Sequence, residues 1–142
     1  METKYQNSRV LIGGAALVAL GSSRSTEDTD YLVFDSSQKS AFLHDTENNV
    51  DYLNAAGNRF FAEIWKTEAG KEMASPQALF ELKAYAFVQH CQNFAWQKAD
   101  DAEYDMNFLV RNYGVKAGNI VKKYVSSGEY YEIQKIINSV RM

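Results

Sequence analysis

The sequence predicts an α+β protein: a small β-sheet with helices packed on it, followed by a helical C-terminal half. Three observations carry that expectation. Short β-branched, aliphatic or aromatic runs occupy residues 9–12, 29–35 and 50–53, each bounded by turn-forming residues. Beyond Gly57 the apolar spacing changes to three and four residues and keeps that period to the end of the chain. A single proline among 142 residues leaves room for long helices. The expected division is a core over 1–72 and a helical part over 73–142, both within one compact domain.

Each element has its own signal. Residues 9–12 are stopped by Gly13-Gly14 and read as a short buried strand. Residues 15–20, small and continuously apolar, read as a buried helix that Gly21 terminates. After a polar loop, Tyr31, Leu32, Val33 and Phe34 follow one another, which suggests a strand buried on both faces. Residues 41–44 are a short strand or an irregular edge, and 46–49 a turn. In the third clear strand, Asp51 should face away from Val50 and Tyr52, because side chains alternate along a strand.

The helical signals begin with Phe60, Phe61, Ile64 and Trp65 in a segment over 59–68. Ser75-Pro76 is a start signal, with apolar stripes through Leu79, Leu82 and Ala86 and through Phe80, Ala84 and Phe87. Asp100 or Asp101 is expected to cap the next helix, whose stripe is Met106, Leu109, Val110 and Tyr113, with Gly114 ending it. A further helix is expected over 117–125, a break at 126–128, and a last helix through Ile133, Ile136, Ile137 and Val140.

Composition excludes several classes. With 46% hydrophobic and 23% charged residues the chain is expected to fold rather than remain disordered. The longest near-apolar run, 10–21, contains three glycines and falls short of the ~20 residues a membrane span needs. The N-terminal residues carry no signal-peptide pattern, and lone Cys91 has no disulfide partner in the chain, so a reducing cytoplasm is the expected location. The net charge of −3 is uneven: residues 1–105 balance to −7 and residues 106–142 to +4. An acidic front suits a metal site. The mildly basic tail, with Tyr113, Tyr124, Tyr130 and Tyr131 interleaved, reads first as helix packing and second as a stacking surface for single-stranded RNA.

The chemistry-bearing stretch is 10–34. In a strand, Asp28 and Asp30 share a face, and two close carboxylates resist joint ionisation unless a cation lies between them. Mg²⁺ takes oxygen ligands and usually combines one or two carboxylates with substrate phosphates. Asp51 could reach the same face and complete a triad suited to two metal ions. Gly13-Gly14 turns from strand to helix, so backbone N–H groups can face phosphate oxygens at close approach. Ser22, Ser23, Ser25 and Thr26 offer hydroxyl donors, and Arg24 a bidentate cation.

These residues carry a resemblance. Gly13-Gly14-Ala15-Ala16-Leu17, then Arg24-Ser25-Thr26-x-Asp28-x-Asp30 with thirteen residues between Gly14 and Asp28, resemble the signature of nucleotidyltransferase-fold proteins related to DNA polymerase beta, and most closely the AbiEii-type abortive-infection toxins. Val50-Asp51-Tyr52 resembles the later acidic strand of that group, Leu82-Lys83-Ala84 its helical lysine, and Asp101 with Asp105 its aspartate-bearing helix. Thr29 departs from the usual aliphatic residue between the aspartates, and the helical half is smaller than in full-length toxins.

The resemblance implies a mixed sheet and Mg²⁺-dependent transfer of a nucleoside monophosphate from an NTP to a hydroxyl acceptor, often RNA or tRNA. A toxin role and an antitoxin partner are implied with it. Asp28, Asp30 and Asp51 would bind two Mg²⁺ ions and be catalytic. Gly13, Gly14, Ser22, Arg24, Thr26, Lys83 and Asp101 would hold the nucleotide. The alternative is a module of the same fold that binds a nucleotide or a protein partner without catalysis. Lys83 also reads as a lysine passing apolar neighbours to reach water, and Asp101 as a helix cap. His44 reads as a surface residue and Cys91 as a small buried one.

Overall fold

The computed structural model describes residue 5, residues 8–25 and residues 28–141. The strands are β1 (Val10–Ile12), β2 (Thr29–Val33), β3 (Phe42–Asp45) and β4 (Val50–Asn54). The helices are α1 (Gly13–Ala19), α2 (Arg59–Glu68), α3 (Pro76–Gln92), α4 (Trp96–Tyr113) and α5 (Ser127–Arg141), with short 3-10 segments at Ala55–Gly57 and Val121–Tyr124. The α+β expectation holds. By internal packing the chain divides into two units, Met1–Ser75 and Pro76–Met142.

The first unit carries a four-stranded mixed sheet in the order β1-β2-β4-β3. β2 runs antiparallel to β1 and parallel to β4, and β3 pairs antiparallel with β4. The turn into β4 is set locally: Asp45 accepts from both the backbone and the side-chain amide of Asn48, and Asn49 takes the left-handed conformation at φ 52° that asparagine tolerates. α1 packs on β1 and β2, and α2 packs on β2. Leu17, Phe60 and Ile64 are fully buried, each contributing about 1.5–3 kcal/mol of apolar burial. The opposite face of the sheet has a second cluster of Val33, Val50 and Tyr52, with Tyr5, Tyr31 and Leu43 against it. Arg9 lies 4.1 Å over the Tyr31 ring on that side.

Glu68, 3% exposed, closes the C-terminal end of α2. Its carboxylate accepts from the Ser75 amide at 2.7 Å, from the Thr67 hydroxyl and from Lys71. Burial pushes its pKa up, but these donors outweigh burial and hold it below the ordinary carboxylate value.

In the second unit α3 packs on α4 and α4 on α5, around Leu79, Phe80, Met106, Leu109, Ile133 and Ile137. Four expectations are corrected. Asp100 and Asp101 do not cap α4, which starts at Trp96, because α3 closes tightly: Ala95 N donates to His90 O and Phe94 turns left-handed at φ 57°. Tyr113 is 42% exposed, at the last turn before left-handed Gly114, and so lies off the core stripe. The expected helix over 117–125 is only the 3-10 segment Val121–Tyr124. Its entry is held elsewhere: the Ile120 and Val121 amides donate to the buried Glu81 carboxylate at 3.1 and 3.0 Å. Finally, 126–128 starts a helix rather than breaking one. Ser126 Oγ accepts from Glu129 N, and Glu129 accepts back from Ser126 N, a reciprocal capping box.

Candidate functional site

Strand register builds a single row across the sheet. Ile12 pairs with Asp30, Asp30 with Asp51, and Asp51 with His44, so one position on each of the four strands falls in line. Paired residues on adjacent strands point to the same face, about 4.8 Å apart along the hydrogen-bonding direction. Two carboxylates and an imidazole therefore share one face at one end of β2 and β4. Gly13 follows Ile12 directly.

That junction has no room for a side chain. Gly13 sits at φ 70°, and a Cβ there would collide with Asp30 Oδ2 and lie 3.2 Å from Asp30 Cβ and Cγ. The glycine is needed twice over, for its backbone conformation and for the approach of the carboxylate. α1 then starts with Ile12 as N-cap, whose aliphatic side chain makes no cap hydrogen bond.

Asp28 is exposed and lies one residue before β2. Ser22 is buried at 8%, and its hydroxyl accepts from the Arg24 amide at 3.3 Å, which folds the loop entrance back on itself. Arg24 is partly buried. Thr26 lies outside the described residues. Asp51 is half-exposed and bonded to His44 Nδ1 at 2.6 Å. His44 is the residue that sequence reading missed. It is on the surface, as expected, but opposite Asp51 through a register that only the folded hairpin sets. A hydrogen-bonded partner of this kind fixes the orientation of a carboxylate.

Lys83 and Asp101 belong to the second unit, each on its own helix. Lys83 Nζ lies 3.0 Å from Asp105 Oδ2, with Asp105 1% exposed and Lys83 one-fifth exposed. A buried carboxylate needs such a partner. Asp101 is exposed on α4 and accepts from Gln97 at 3.2 Å. Of the tail tyrosines, Tyr130 accepts from the Gly118 amide and Tyr131 is 63% exposed beside Lys135. Burial raises the Cys91 thiol pKa, against a reactive thiolate.

Among the described residues, no group of three or more His, Cys, Asp or Glu side chains gathers closely enough to hold a metal ion. Nor, among those residues, is any helix long and apolar enough to cross a membrane. No protein-family model matches the chain, and no curated protein or solved structure matches it significantly.

Proposed function

We propose that the protein is a Mg²⁺-dependent nucleotidyltransferase that moves a nucleoside monophosphate from an NTP to a hydroxyl acceptor and releases pyrophosphate, RNA being one candidate acceptor. What carries the reading is the alignment of Gly13, Asp30 and Asp51: a left-handed glycine turn against one carboxylate, with a second carboxylate beside it on the next strand. The donor set suits a hard cation. Asp30 and Asp51, with Asp28 just upstream, offer carboxylate oxygens, and Mg²⁺ completes its shell with water and substrate phosphates. When bound, the metal supplies charge neutralisation for the triphosphate and a lowered pKa for the attacking hydroxyl.

The remaining steps belong to the chain. The Gly13-Gly14 turn holds triphosphate oxygens, because glycine admits them close to the main chain. Arg24 adds positive charge to the loop entrance. Asp51, oriented by His44, favours removal of the acceptor proton. Positioning and charge stabilisation supply most of the rate in such transfers.

Incubation with α-labelled NTPs, Mg²⁺ and total RNA tests the proposal. Label transfer by the wild type, lost in Asp30→Asn, is the expected result. No transfer, together with no nucleotide-dependent rise in melting temperature, contradicts it, since a ligand of the folded state must stabilise that state.

A further inference from the structure

At the other end of β2 and β4, where these parallel strands finish, lies an open cleft of about 610 Å³. That volume is within the range of small-molecule sites. Its lining includes Phe34, Ser36, Gln38, Lys39, Asn58 and Arg59. Two cations line it and no carboxylate does, in a chain with eighteen acidic residues against fifteen basic ones. Phe34 leaves β2 half-exposed, its ring 6.4 Å from that of Trp65. Four steps along the chain separate it from Asp30, roughly 13 Å at strand rise.

The walls are built rather than loose. Asn54, wholly buried at the end of β4, accepts from the Asp35 and Ala56 amides at 2.9 and 3.2 Å. Its amide nitrogen lies 3.1–3.2 Å from the carbonyls of Asp35, Gln38 and Ser40. One side chain thus ties the 35–40 loop to the segment that leads into α2. Gly57 lets that loop pass: a Cβ there would lie 2.7 Å from Ala41 N. A rigid concave surface with cationic donors and one exposed aromatic ring suits a planar ring that bears an anion.

We propose that this cleft binds a phosphate monoester carrying a planar ring, such as a nucleoside monophosphate, with Lys39 and Arg59 on the phosphate and Phe34 against the ring. The proposal does not depend on the nucleotidyltransferase reading. Amide chemical shifts of the ¹⁵N-labelled full chain, titrated with AMP and separately with inorganic phosphate in Mg²⁺-free buffer, test it. AMP is expected to shift residues 36–39 and 57–59 and the Trp65 indole. K39Q/R59Q is expected to weaken AMP by at least roughly tenfold, with an amide spectrum that still shows the folded chain. Phe34→Ala should weaken AMP and leave phosphate unchanged, and Asp30→Asn should leave AMP binding intact. Absent or scattered shifts, wild-type affinity in K39Q/R59Q, phosphate as tight as AMP, or loss of AMP binding in Asp30→Asn would each overturn it.

Discussion

Asp30 occupies the space that a side chain at Gly13 would need. Its carboxylate lies where a methyl would be, and the backbone there is left-handed at φ 70°. The glycine turn and the acidic strand are therefore one construction. Gly13→Ala should destabilise the fold by about 2–4 kcal/mol, combining left-handed strain with overpacking. Urea unfolding reads this directly, and an unchanged midpoint would mean that the contact is relieved at no cost.

The His44–Asp51 hydrogen bond is half-exposed on both sides, so its loss should barely alter stability. For His44→Ala the expected change is under about 1 kcal/mol. If Asp51 holds metal, the same variant should weaken Mg²⁺-dependent nucleotide binding by about tenfold or more, as loss of an orienting partner does. Calorimetric titration beside thermal melting separates the two. A large fall in stability with unchanged binding would make the pair structural.

Glu81 is 2% exposed and holds the Ile120 and Val121 amides. Glu81→Ala should cost about 2–4 kcal/mol, because one buried and one part-buried donor lose their acceptor. Hydrogen exchange should accelerate first at Ile120 and Val121. Protection equal to wild type at those amides would refute the assignment.

Glu68 gives a pH dependence. Its folded pKa lies below the ordinary carboxylate value, so its contribution is present above that value and is lost as pH falls through the folded pKa. Wild type should exceed Glu68→Gln in stability at pH 7, and the gap should close below about pH 4. A gap independent of pH would show that the charge contributes nothing.

Much of this was legible in the chain. Asp51 faces away from Val50 and Tyr52 because strand alternation is strict, and α2 runs from Arg59 to Glu68 because its apolar spacing, with Asn58 capping the Phe61 amide, has one solution. The parts that were not legible depend on contacts remote in sequence. Charged Glu81 gives no sign that it is buried, yet it captures amides 39 and 40 residues away in the 117–125 segment. The start of α4 at Trp96 follows from the tight turn at Phe94, which no proline or glycine marks. The alignment of Asp30, Asp51 and His44 comes from register, which the sequence does not state.

Manganese binding, followed by electron paramagnetic resonance with a non-hydrolysable NTP analogue, tests the central claim most directly. Wild type should hold about two Mn²⁺ per chain with nucleotide present, and Asp30→Asn should bind them roughly tenfold more weakly or worse. Equal Mn²⁺ binding by the two proteins, or none by the wild type, would contradict a metal–nucleotide site on the Gly13–Asp30–Asp51 row.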